Sequence, residues 1–173
     1  MDSEKPYVYH GSSQEFDSEV AKPKKNIRIK VDSKGNEEVI FDEESFHATP
    51  ERWITLAYTD LKNFFEIDGR KIAYSMGVNL YENNREVIIF GCNSLEASLK
   101  VLYGDGGYLY HFDRNKFLYK EGLGSMEVVV NEPADPVVIE RVDDPVAEMR
   151  KLGVEFVFVD LSLPENENKR VYI

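Results

Sequence analysis

Apolar residues in this chain come in short bursts separated by polar or glycine-containing stretches. Tyr7-Val8-Tyr9, Val39-Ile40-Phe41, Val87-Ile88-Ile89-Phe90 and Val128-Val129-Val130 are typical. Runs of this length, rich in β-branched and aromatic residues, predict strands. The expected strands cover residues 7–10, 27–31, 39–41, 72–81, 87–91, 108–112, 117–120, 127–131, 137–141, 156–159 and 170–173. Ser33-Lys34-Gly35-Asn36 and Asn83-Asn84 read as turns, because these side chains bond their own backbone or tolerate left-handed conformations. Asp42-Glu43-Glu44 reads as a solvated turn.

Helical signals are fewer. Thr49-Pro50-Glu51 supplies an N-cap, a proline at the first helical position and an acid near the positive end of the macrodipole. The helix it opens is expected over residues 50–67, with Ile54, Ala57, Tyr58, Leu61, Phe64 and Phe65 as its apolar stripe. A second helix is expected over residues 95–102, capped by Asn93 or Ser94 and ended by Gly104. In the third, Asp144 caps, Pro145 opens, Val146, Met149 and Leu152 face inward, and Gly153 closes. Many short strands with a few helices, and no regular strand-helix alternation, give an α+β class.

Composition narrows the class further. A chain of 173 residues that is 42% hydrophobic and 12% aromatic is expected to form one globular domain over residues 1–173. No apolar stretch approaches the roughly 20 residues that span a bilayer, and Met1-Asp2-Ser3-Glu4-Lys5-Pro6 has neither a basic nor an apolar leader region. A cytoplasmic protein without a membrane partner is therefore expected. The lone Cys92 agrees with a reducing compartment and reads as a small core residue. The net charge of −11 argues against a nucleic-acid backbone as main partner. One basic run, residues 22–30 with five cations, fits either a phosphate-holding segment or a solvated strand edge.

His10-Gly11-Ser12 ends the first expected strand. His10 fits two roles: a strand-end group bonded to backbone, or an imidazole that bonds a ligand hydroxyl. Gly11, without a Cβ, lets a flat ligand reach the main chain. Farther on, Phe46-His47-Ala48 runs into the first helix, where Tyr58 is either a pocket wall or a core residue. Phe46 offers a π-face for stacking, and His47 and Trp53 read as core or pocket-edge residues. Glu127 stands before Val128-Val129-Val130. A carboxylate in an apolar strand is costly unless it faces a pocket or a partner. The plainer reading is an exposed edge-strand glutamate, and Glu132 is the fallback candidate. Three histidines and one cysteine give no His-x-x-x-His or Cys-x-x-Cys spacing, so no metal site is expected. Neither a Gly-x-Gly-x-x-Gly nor a Gly-x-Ser-x-Gly motif occurs.

Taken in order, the His-Gly-Ser strand end, the aromatic block entering a helix and the later strand glutamate resemble the ADP-ribosyltransferase-like family. The likeness is to its PARP-like, His-Tyr-Glu branch of bacterial or phage type. Residues 108–112 and 131–140 extend the resemblance, in blocks, over residues 7–160. It implies an α+β ADP-ribosyltransferase-like fold, with two facing antiparallel sheets forming a cleft. The implied activity is cleavage of the nicotinamide bond of NAD, a substrate here, and transfer of ADP-ribose to an unknown acceptor or to water. A protein or small-molecule acceptor suits the charge better than nucleic acid. The resemblance places His10 on the nicotinamide ribose, the Gly11 main chain on the carboxamide and Ser12 beside them. It stacks Phe46 and Tyr58 on the ring, and gives Glu127 the ribose hydroxyl and the oxocarbenium-like transition state. Where the family carries its motif tyrosine, this chain has Phe46, or His47 in the adjacent register. That departure suits a rival reading, a catalytically inactive binding or interaction protein. An RNA 2′-phosphotransferase relative is opposed by the acidic charge and the lack of an arginine-rich surface.

Overall fold

The computed structural model describes residues 6–15, 21–59, 65–67, 70–72, 74–82, 85–92, 103, 105–160 and 170–172. Its elements in chain order begin with β1 (Tyr7–Ser12), β2 (Lys24–Val31), β3 (Glu37–Ala48), α1 (Arg52–Leu56), β4 (Phe65–Ile67), β5 (Arg70–Ile72), β6 (Tyr74–Glu82) and β7 (Arg85–Cys92). They continue with β8 (Gly107–Asp113), β9 (Val128–Val130), β10 (Val138–Val142), α2 (Pro145–Lys151), β11 (Glu155–Asp160) and β12 (Arg170–Tyr172). The protein is mixed α+β, as the strand-rich pattern predicts. No helix among the described residues is long and apolar enough to cross a membrane.

Two compact units divide the chain. One contains Met1–His10, Glu15–Thr55 and Leu109–Glu140; the other contains Gly11–Gln14, Leu56–Tyr108 and Arg141–Ile173. A three-stranded sheet has the order β1-β8-β10.

The first unit is organised by β3. Its partners in the sheet are β2 on one side and β9 on the other. The β2–β3 hairpin turns at Asp32, whose carboxylate accepts from the amides of Lys34 and Asn36, and Gly35 adopts φ +83 there. At its far end β3 pairs Phe46, His47 and Ala48 with Val130, Val129 and Val128. One residue later Thr49 exchanges both backbone hydrogen bonds with Tyr9 of β1, at 2.8 and 3.0 Å. The same strand end is thus tied to β9 and to β1. Strand alternation sends Phe46 and Ala48 inward, and both are buried. Phe46 meets Phe112 and Phe117 edge-on, at centroid distances of 5.3 and 6.4 Å, and Val8, Leu109, Val128 and Val129 complete this core. Fully burying side chains of this size stabilises by about 1.5–3 kcal/mol each.

The second unit carries the sheet β12-β11-β7-β6 and the hairpin β4-β5. β11 runs parallel to β7, a departure from wholly antiparallel sheets, while β6–β7 and β11–β12 are antiparallel. α2 is built as its sequence predicts: Asp144 accepts from the Ala147 amide at 2.9 Å, Pro145 occupies the first turn, and Gly153 follows the end with φ +86. Met149 is fully buried, but Leu152 is exposed rather than inward-facing.

Several other expectations are corrected. Of the helix expected over residues 50–67, the described residues show α1, of five residues, and Phe65–Ile67 is instead β4; Leu61 and Phe64 of its expected stripe lie outside the described residues. Thr55 and Thr59 turn their hydroxyls onto the carbonyls of Glu51 and Leu56, which competes with helix continuation. Residues 65–72 read better as a hairpin, because Asp68-Gly69 separates the paired Ile67 and Arg70. The buried face of this region is Trp53, Leu56 and Ala57. Asp42-Glu43-Glu44 is not a turn but lies within β3 opposite Ile27, Asn26 and Lys25, where neighbouring cations offset its charge. Residues 117–120 form only an isolated bridge, Leu118 to Val129. The helix expected over residues 95–102 and the side chain of Cys92 lie outside the described residues.

Candidate functional site

Ser45 and His47 share one face of β3, opposite the face that carries Phe46 and Ala48 into the core. His47 is therefore held at the unit's polar side, where β2 and the approach to β9 supply its neighbours. Its Nδ1 lies 2.6 Å from Glu127 Oε1, while its Nε2 lies 2.8 Å from Asn26 Nδ2 and 2.9 Å from Ser45 Oγ. With the Asn26 amide donating, Nε2 is an acceptor and the proton sits on Nδ1, so His47 donates to Glu127.

Glu127 immediately precedes β9, and its side chain is 21% exposed. Oε1 also accepts from the Arg28 guanidinium of β2, while Oε2 has the Gly124 amide at 3.3 Å. Burial pushes this carboxyl upward, but the His47 hydrogen bond and the charge of Arg28 outweigh it, and the net shift is downward. The glutamate is therefore a carboxylate at neutral pH. Oε2 has the weaker of the two sets of bonds, the longer contact from the Gly124 amide.

His10 completes the group. Its Nδ1 donates to the His47 carbonyl at 2.9 Å, and its ring lies 4.6 Å from that of Phe46. Burial holds its pKa below the ordinary value despite that backbone bond, and His47 and Lys24 lower it further. A neutral ring with its proton on Nδ1 leaves Nε2 as an acceptor, and no group among the described residues bonds that nitrogen. One nitrogen is thus spent on backbone, the first role considered for His10, and the other has no hydrogen-bond partner among the described residues.

His10, Phe46 and Glu127 all belong to the first unit: His10 meets the Phe46 ring and the His47 carbonyl, Glu127 meets the His47 ring, and no direct contact joins His10 to Glu127 among the described residues. Phe46, however, is only 8% exposed and packed against Phe112 and Phe117. Gly11, Ser12 and Tyr58 belong to the second unit. Ser12 is buried and accepts the Gln14 amide at 3.1 Å, and Tyr58 is exposed. Glu132, the fallback, is exposed. His47, Arg28, Asn26 and Ser45 join this hydrogen-bonded cluster without assigned roles from the sequence. Their signal is the pair of polar side chains, Ser45 and His47, at period two in a strand end otherwise apolar.

Ser45, His47 and Glu127 stand in the order hydroxyl, imidazole, carboxylate, the order that activates a nucleophile. Ser45 is 3% exposed and shares Nε2 with Asn26. A hydroxyl so enclosed cannot reach a substrate, so it braces the ring. A second charged group lies elsewhere in the same unit. Glu140 accepts from the Arg52 guanidinium and bonds His111 Nε2 at 2.9 Å, and Tyr7 and Tyr9 pack edge-on against the His111 ring. No group of three or more His, Cys, Asp or Glu among the described residues is placed to hold a metal ion. Comparison with protein-family models, with curated proteins and with solved structures finds no match for this chain.

Proposed function

We propose that this chain cleaves the glycosidic bond between nicotinamide and ribose in NAD and passes ADP-ribose to an acceptor. The observation that supports it best is the ionised Glu127 carboxylate held by Arg28 and the His47 ring, with His10 bonded to the main-chain carbonyl of that same histidine. In the reaction the ribose C1′–N bond breaks and its electron pair leaves with nicotinamide. The positive charge left on the ribose requires a fixed anion, and Glu127 Oε2 supplies it. His10 Nε2 accepts from a ribose hydroxyl and orients the sugar. An acceptor oxygen or nitrogen then bonds C1′ and gives up its proton to solvent. Gly11, Ser12 and Tyr58 keep the nicotinamide contacts that the family resemblance implies, and the ADP-ribosyltransferase-like fold is part of the same proposal.

The burial of Phe46 supports a second reading, a binding protein without turnover, because a ring packed on Phe112 and Phe117 does not present a free face to nicotinamide. One experiment separates them. Purified protein is incubated with NAD and free nicotinamide is followed by chromatography, alone and with cell extract as acceptor source. Release that is lost in Glu127→Gln and reduced in His10→Ala supports transfer or hydrolysis. No release, with NAD binding retained, supports the second reading; neither release nor binding rejects both.

A further inference from the structure

β2 is the outermost strand of its sheet, so one edge of an eight-residue strand has no strand partner among the described residues. Proteins usually keep such edges short or interrupt them, because unpaired amides and carbonyls recruit other chains. Here the register irregularity beside Arg28 and Ile29 places the extra residue, Ile40, on β3, and β2 contains neither proline nor glycine. Its edge is continuous.

Two chemical features accompany that edge. Ile27, Ile29 and Val31 alternate along β2 and are 53%, 51% and 60% exposed, and Val39, opposite Ile29, is 57% exposed. Period two sets these aliphatic groups on one face. The strand also carries Lys24, Lys25, Arg28 and Lys30 and no acid, within a chain of net charge −11. Lys25 is paired with Asp42 and Arg28 with Glu127, while Lys24 and Lys30 are exposed and have no ion-pair partner among the described residues.

A ligand for this edge must supply backbone hydrogen bonds, aliphatic contacts and negative charge together. Anionic lipid and nucleic acid supply charge but not the ladder of amides and carbonyls. A second copy pairing through its own β2 would set cations against cations, which is unfavourable between neighbouring strands. An extended acidic segment meets all three requirements by adding a strand. We propose that β2 is a docking edge for an extended segment of a partner protein in which aliphatic and acidic residues alternate, bound as an additional strand. This proposal is independent of NAD chemistry.

The test uses isotope-labelled full-length chain titrated with an end-capped eight-residue peptide of alternating Val and Glu. The expected result is chemical-shift change and slowed amide exchange concentrated in β2, with affinity falling several-fold as salt is raised. Lys24→Glu with Lys30→Glu, both at exposed positions, is expected to weaken binding by about tenfold while the unfolding midpoint stays near that of the parent. Equal binding of a Val and Lys peptide, shifts centred away from β2, or unchanged affinity in the double variant would each overturn the proposal. So would phosphatidylserine vesicles that perturb β2 in the absence of any response to the peptide.

Discussion

His47 donates its Nδ1 hydrogen to Glu127 Oε1 across 2.6 Å, joining residues 80 apart in the chain. Three contacts fix the geometry of this pair: Asn26 and Ser45 on the other imidazole nitrogen, and Arg28 on the same carboxylate oxygen. The imidazole is a spacer between β2, β3 and the entry to β9, as well as a donor.

Replacing it is therefore expected to reach beyond the candidate site. In His47→Ala, Glu127 loses its aligned donor and Asn26 and Ser45 lose a common partner. Hydrogen bonds to charged groups contribute about 1.5–3 kcal/mol, so urea denaturation should report a loss in that range. His47→Gln, which retains a donor of comparable reach, should recover part of it. A stability change in His47→Ala no larger than that of a surface substitution would mean that Arg28 alone holds the carboxylate.

Two glycines with nearly equal φ predict unequal results. Gly35 has φ +83 and open space where a Cβ would point; Gly122 has φ +87, and its added Cβ would fall 2.0 Å from the Ile40 carbonyl oxygen. At Gly35 alanine meets only the left-handed backbone penalty, about 1–2 kcal/mol. At Gly122 the backbone around Ile40 and Phe41 must also shift, and the loss should exceed that of Gly35→Ala by more than about 1 kcal/mol. Thermal unfolding of the two variants side by side measures the difference; equal midpoints would show that the Gly122 segment relaxes freely.

The Arg52, Glu140 and His111 group is expected to be structural. Glu140 is one-third exposed and Arg52 one-quarter, so screening reduces the worth of their charges. Glu140→Gln should lower stability by about 1 kcal/mol at low salt and by less near 0.5 M salt. A double-mutant cycle with Arg52→Met isolates the pair. A coupling of zero at low salt would leave the contact with His111 as the only contribution of Glu140.

Which features are legible in the sequence depends on the range of each interaction. Asp144-Pro145 and Gly153 announce α2 because caps are decided within a few residues. Glu127 and His10 were visible because polar groups beside apolar runs need partners, though the partners themselves were not. His47 reads from the sequence only as a core or pocket-edge residue, because a lone ring beside Phe46 fits either; its bonds to Asn26 and Glu127 come from strand pairing, which local sequence does not reveal. The overextended first helix has the same origin. Phe64 and Phe65 suit a helical stripe, but Phe65, Glu66 and Ile67 also alternate, and Asp68-Gly69 favours a hairpin. Asp42-Glu43-Glu44 looks solvated until β2 places its cations alongside.

The acid dependence of folding should show two windows. The folded-state pKa of His10 lies below its ordinary value of 6.5, chiefly through burial. The unfolded chain therefore takes up that proton first, and stability falls as pH drops below about 6.5. Glu127 lies below its ordinary 4.5, because His47 and Arg28 outweigh burial. Its contribution is fully present above that value and is lost as pH falls beneath it toward the folded pKa. Glu140 and Glu43, also shifted downward by their partners, share the second window. Denaturation midpoints across about pH 7 to 3 should therefore fall in two stages. His10→Gln is expected to flatten the upper stage alone, and Glu127→Gln to reduce, without abolishing, the lower one. Should stability instead rise on acidification below pH 6.5 and lose that rise in His10→Gln, the imidazole is bound as a cation, and its Nε2 is a donor to the ligand rather than an acceptor.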